Sequence, residues 1–97
     1  MNIFENYLSI IIKSVEKNKK TLRIKKTNNF KGVTSESPPS NFDYDLSTNI
    51  ALILGKVNNL NPKDLCKNIK EFLIKETKDF SKIDVAGPGF LNIKFTN

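Results

Sequence analysis

Lys82-Ile83-Asp84-Val85-Ala86-Gly87-Pro88-Gly89-Phe90-Leu91-Asn92-Ile93-Lys94-Phe95-Thr96 reads as strand, turn, strand, with Gly-Pro-Gly as the punctuation. In the second run the side chains alternate strictly between two faces. Leu91, Ile93 and Phe95 share one face, an ordinary core face, while Phe90, Asn92, Lys94 and Thr96 share the other. That second face spaces a ring, an amide and an ammonium two residues apart, about 7 Å per step along a strand. A ring stacks on a base, an amide reads a base edge and a cation meets a phosphate, so the row suits nucleic acid. The plainer alternative is a half-buried ring beside a turn and a solvated edge, because alternation looks the same in most half-buried strands.

Upstream of this hairpin, Asn61, Pro62 and Asp64 spell a helix start: a capping side chain, proline at the first helical position and an acid in the first turn. Leu65, Ile69, Phe72 and Leu73 form its core stripe, and it runs to about Lys78, with Lys63, Lys67, Lys70 and Glu71 on the solvated side. An earlier helix buries Ile50, Ala51, Ile53, Leu54 and Val57, is capped by Asp45 or Ser47, and stops at Asn58-Asn59. Residues 2–18 make an amphipathic helix from Ile3, Tyr7, Leu8, Ile11, Ile12 and Val15, with Asn2 as N-cap and Glu5 at the capping-box spacing. Thr21-Leu22-Arg23-Ile24-Lys25 alternates as a strand would, Gly32 to Ser37 is a second strand candidate, and Ser37-Pro38-Pro39-Ser40 is a connector. The order of elements gives an α+β domain over 1–97: two layers, with helices packed on one face of a small antiparallel sheet. The open face of that sheet would carry Phe90, Asn92 and Lys94.

The chain has 97 residues and a net charge of +6. Between Lys13 and Lys31 stand eight cations against one anion, Glu16, giving +7; the remainder holds eight cations and nine anions, giving −1. The whole excess therefore sits in one stretch, and Lys19, Lys20, Arg23, Lys25 and Lys26 are its candidate phosphate contacts. A solvated basic loop is the alternative. The single cysteine, Cys66, has no partner and reads as a small apolar helix residue in a reducing, cytoplasmic setting. The apolar runs are too short to span a membrane, and the N-terminus does not read as a signal peptide. Catalysis has no support: histidine is absent, Cys66 has no base, and no carboxylate spacing singles out an acid–base pair. Asp43 and Asp45 lie two apart with no further carboxylate near in sequence, so no metal site is expected. The Gly-Pro-Gly turn leads into a strand and lacks the Gly-Lys-Ser/Thr ending of a phosphate loop.

Val85-Ala86-Gly87-Pro88-Gly89-Phe90-Leu91-Asn92-Ile93 resembles the AGPGFIN segment in the N-terminal additional domain of arginyl-tRNA synthetases. Asp45-Leu46-Ser47-Thr48-Asn49-Ile50-Ala51 is similar to the family's GDYATNVA segment, and is followed as in the family by two helices around an Asn-Pro break. The likeness covers about residues 33 to 97; Gly-Pro-Gly-Phe is its most specific phrase. Tyr44 stands where the family usually has glycine, which implies a looser backbone there, and Lys19 to Lys31 has no family wording.

The resemblance implies a tRNA-binding module that docks on the outer corner of arginine tRNA and touches its D-loop. In the family an aromatic residue after the turn and an Asn or Gln two positions later contact a D-loop base; by position these are Phe90 and Asn92. Lys94 and the basic stretch would contact phosphates, the latter without family precedent. Asp45 and Asn49 are expected to be structural, one a cap and the other an early-helix hydrogen bond. The resemblance also implies a ligase parent whose catalytic body, outside this chain, uses ATP and Mg, while this piece needs no cofactor. Ending directly after a strand, the chain reads as part of a longer polypeptide. A reading from another class is a protein-interaction domain anchored by Phe30, Phe80 or Phe90.

Overall fold

The computed structural model describes residues 3–38 and 43–96. Within them lie helices α1 (Ile3–Lys17), α2 (Ile50–Asn58) and α3 (Pro62–Glu76), and strands β1 (Ser35–Glu36), β2 (Leu46–Thr48), β3 (Phe80–Ala86) and β4 (Phe90–Phe95). The strands form one antiparallel sheet in the order β1-β2-β4-β3. This is the α+β architecture expected. Asn2 and the Pro39-Ser40 half of the connector lie outside the described residues.

The core lies between the sheet and the helices. Ile11 and Val15 come from α1, Ile50, Ala51 and Leu54 from α2, Leu65, Cys66, Ile69 and Leu73 from α3, and Leu46, Ile83, Leu91 and Ile93 from the sheet. Full burial of an aliphatic side chain of this size stabilises by about 1.5–3 kcal/mol. The alternation read in β4 holds: Leu91 and Ile93 are completely buried, and Phe95 stacks on Tyr7 of α1 with ring centroids 3.7 Å apart. Helix α3 starts as its residues dictate, the Asn61 side chain accepting from the Asp64 N–H at 3.1 Å with Pro62 in the first turn. It ends at Glu76, two residues short of expectation. There Glu76 clasps α1: its carboxylate accepts from Ser14 Oγ and Asn18 Nδ2, both at 2.8 Å.

Two expectations fail. Thr21–Lys25 is not a strand. The chain turns there, with Ile24 N–H donating to the Lys19 carbonyl and Arg23 at φ +63°, a left-handed conformation outside the extended range of a regular strand. The alternation is nonetheless real as burial, since Leu22 and Ile24 both enter the core. The second failure is the capping role of Asp45 or Ser47. Those residues flank or belong to β2, and α2 begins only at Ile50 after Asn49. Asp45 instead closes the end of the sheet: its N–H donates to the Ile93 carbonyl and its carboxylate accepts from the Phe95 N–H, both at 2.8 Å. Of the Gly32–Ser37 candidate only Ser35–Glu36 pairs, on β2.

Candidate nucleic-acid interface

The β3–β4 turn is locked onto the helices. Gly87 and Gly89 hold φ of +54° and +147°, values that a side chain would strain. Gly89 is also sterically required: a Cβ there would lie 2.7 Å from Pro62 Cβ and 3.1 Å from Leu52 Cα. Its carbonyl accepts from the Leu52 N–H at 3.1 Å, satisfying a donor in the first turn of α2 that has no partner within the helix. The next carbonyl, that of Phe90, accepts weakly from Cys66 Sγ at 3.6 Å. Burial pushes the Cys66 thiol up to about 12, so it stays protonated and inert, as expected. Phe90 therefore leaves the turn from a backbone fixed by both helices.

Phe90, Asn92 and Lys94 emerge half-exposed on the sheet face away from the helices. Register places Asn92 between Ser47 of β2 and Asp84 of β3, Phe90 opposite Ala86, and Lys94 opposite Lys82. Among the described residues, no hydrogen bond engages the Asn92 side chain. The lysine end is different. Lys94 Nζ donates to Asp43 at 3.0 Å, and Lys82 Nζ lies 3.7 Å from Asp84 and 5.2 Å from the centre of the Tyr44 ring. Tyr44, the residue in the family's glycine position, donates its hydroxyl to Asp84. These contacts hold the Tyr44 phenol above its ordinary value, chiefly through that bond to Asp84, and hold Asp43 below its own through the bond from Lys94. Two lysines directly opposite would repel; the surrounding carboxylates offset them. The open face thus has one end with Phe90 and the free Asn92 amide, bordered by Ser47 and by an Asp84 carboxylate already engaged by Tyr44 and Lys82, and another end whose cations are already paired.

The basic stretch does not join this face. Lys19, Lys20, Arg23 and Lys25 surround Ile24 on the helical layer, and Arg23 borders the start of α3 beside Asn61 and Asp64. Its backbone is pinned by Asn58, at the end of α2. Asn58 Oδ1 accepts from the Lys25 and Lys26 N–H groups at 2.9 and 2.8 Å, and Asn58 Nδ2 donates to the Lys26 carbonyl at 2.8 Å. The sequence marks Asn58-Asn59 only as a helix stop, and Asn59 does take the left-handed φ of +55° expected of one. Nothing local reveals that Asn58 also holds a chain more than thirty residues away. Asn49 works in the same way. Its carbonyl accepts from the Ile53 N–H at 3.0 Å, the early-helix bond expected, while its side chain reaches back: Oδ1 accepts from the Thr34 N–H at 2.7 Å and Nδ2 donates to the Gly32 carbonyl at 3.1 Å. Its role is structural, as expected, but its side chain serves the preceding loop.

Of the three rings considered as protein-docking anchors, Phe30 and Phe80 pack against the core cluster, and Phe80 also lies 5.9 Å from Tyr7. Phe90 alone belongs to the open face. Among the described residues no three Cys, Asp or Glu side chains gather as a metal site, and no helix is long and apolar enough to cross a membrane.

The family model described as "Arginyl tRNA synthetase N terminal domain" matches residues 5–95. Among curated proteins, the arginine–tRNA ligase of Pelagibacter ubique is 41% identical over 95 residues, covering 98% of this chain and 16% of the relative. That of Bartonella henselae is 39% identical over 102 aligned positions, covering 99% and 16%. That of Lawsonia intracellularis is 48% identical over 61 residues, covering 63% and 11%. The chain thus spans about 16% of the length of the ligases that match it throughout.

Proposed function

Because the chain belongs to the arginyl-tRNA synthetase N-terminal domain family, we propose that it is the tRNA-holding module of an arginine–tRNA ligase. In this reading its open sheet face recognises the D-loop at the outer corner of arginine tRNA. A catalytic body in the same polypeptide, working in the cytoplasm with ATP and Mg, would join arginine to that tRNA; residues 1–97 form one domain and contribute binding alone. The observation that carries the reading is the placement of Phe90 and an unengaged Asn92 amide two residues apart on the open face. An unpaired base stacked on Phe90 would present its edge to Asn92, two residues along the same strand, with Ser47 alongside in register. Stacking of this kind is worth about 1–3 kcal/mol per base. The docked turn fixes the direction of Phe90 before RNA arrives, which lowers the ordering cost of binding. Lys94 contributes a phosphate contact that must compete with Asp43.

The test is a titration with arginine tRNA at low and moderate salt, comparing native chain with Phe90→Ala and Asn92→Ala. The reading expects both substitutions to weaken binding while the circular dichroism spectrum stays native. Binding that ignores both substitutions would contradict it. Binding that survives added salt would favour an apolar protein-docking face, since phosphate contacts weaken steeply with salt.

A further inference from the structure

We infer that Lys19, Lys20, Arg23, Lys25 and Lys26 form a second RNA-contact surface, a rigid basic ridge on the helical layer that binds phosphates without reading sequence. The inference rests on the proposed reading only in taking a folded RNA as the ligand. Three features of the ridge carry it.

The first is unspent charge. All five side chains are exposed, and none makes an ion pair among the described residues, in contrast to Lys82 and Lys94 on the sheet face. Asp64 is the anion that shares a hollow with Arg23, and it makes no ion pair with it.

The second is order. Leu22 and Ile24 are only 4% and 3% exposed and anchor the segment from beneath, while Asn58 ties down the backbone of Lys25 and Lys26. The left-handed turn at Arg23 lies between the two apolar anchors. A segment so held presents its cations from a fixed backbone, unlike a solvated tail.

The third is composition. From Lys19 to Lys26 no aromatic residue is available to stack on a base, and the apolar side chains face inward. Backbone contact with RNA fits this; insertion into a membrane surface, which needs outward apolar residues, does not. Because the ridge sits on the helical layer and Phe90 on the open sheet face, the two surfaces meet different parts of the RNA.

The test uses the full chain with two ligands, arginine tRNA and an unrelated tRNA, titrated across a range of salt. One variant carries Lys19→Gln, Lys20→Gln, Arg23→Gln, Lys25→Gln and Lys26→Gln. A second removes the same charge elsewhere, with Lys63→Gln, Lys67→Gln, Lys70→Gln, Lys75→Gln and Lys78→Gln. The ridge predicts that the first variant keeps a native circular dichroism spectrum. Its slope of log affinity against log salt falls by about 0.7–0.9 for each phosphate that the ridge no longer neutralises, equally for both tRNAs. The second variant keeps nearly the native slope. An unchanged slope in the first variant, or equal losses in both, overturns the ridge. So does binding to phosphatidylserine-containing vesicles without binding to either tRNA. Phe90→Ala and Asn92→Ala titrated on the same ligands separate the two ideas: if they bind as native, the D-loop reading fails while the salt slope still tests the ridge.

Discussion

Thr21–Lys25 and Leu91–Thr96 both alternate apolar and polar residues, and of these two stretches only the second lies along a strand, β4. Both bury their apolar members: Leu22 and Ile24 in one, Leu91 and Ile93 in the other. The difference lies in what flanks them. β4 has β2 on one side and β3 on the other, so its backbone groups find ladder partners. The 21–25 segment runs past the helices instead, and its backbone is satisfied by a left-handed turn and by one asparagine from α2. Alternation reports which side chains face the core, and pairing decides whether they do so from a strand. The same contrast separates the polar members. Those of β4 include a free amide, Asn92, and a lysine already paired with Asp43, while Arg23 and Lys25 of the first segment make no ion pair among the described residues.

Substitutions can undo this contrast at its root or on one side only. Leu91 sits under the sheet face and within the core shared with the ridge, so Leu91→Ala should cost about 2–5 kcal/mol in denaturant unfolding and weaken both surfaces together. Gly89→Ala should cost about 1–3 kcal/mol, because the added methyl meets Pro62 and Leu52 at a strained φ. It should also weaken arginine tRNA binding more than the stability loss explains, since it displaces the base of Phe90.

Phe90→Ala should lower affinity by about 1–3 kcal/mol and leave the unfolding midpoint near native. An unfolded Phe90→Ala would mean that the ring belongs to the core and that the two faces of β4 are misassigned. Asn58→Ala probes the other segment. It should destabilise by about 1 kcal/mol, since water can replace part of what the amide supplies to exposed N–H groups, and it should reduce the salt slope without touching base preference.

Glu76→Gln should have the smallest effect and touch neither surface. Hydrogen bonds from Asn18 and Ser14, with help from Lys17, hold the Glu76 carboxyl below its ordinary value in the folded chain. A depressed carboxylate contributes stability above its unfolded value and loses it as pH falls toward the folded one. The native chain should therefore exceed the variant in unfolding midpoint at neutral pH, and the gap should close on acidification below the ordinary glutamate range.

How much of this was readable from the residues varies by element. The Asn61-Pro62-Asp64 start of α3 and the Gly-Pro-Gly hairpin were legible because their signals are local, a cap and a turn that depend on adjacent residues. β2 was not, because three residues become a strand only by pairing Leu46 with Ile93 and Thr48 with Leu91, far along the chain. Asp45 looked like a helix cap for the same reason; its actual partner, the Phe95 N–H, lies fifty residues away. The candidate site divides along the same line. The row of Phe90, Asn92 and Lys94 followed from alternation, but the pairing of Lys94 with Asp43 and the crossing of Tyr44 to Asp84 depend on tertiary placement. The ridge was visible as charge and invisible as structure, because Asn58 fixes it from another element.

If Asn92 reads one unpaired base while the ridge holds backbone, a double-mutant cycle must reveal the coupling between that amide and that base. Native chain and Asn92→Ala are each titrated with arginine tRNA and with tRNAs carrying single abasic positions through the D-loop. The expected result is that one abasic position weakens the native chain but has almost no further effect on Asn92→Ala, because each change removes the same contact. Additive losses at every D-loop position would contradict it and leave Asn92 as a surface amide with no base to read.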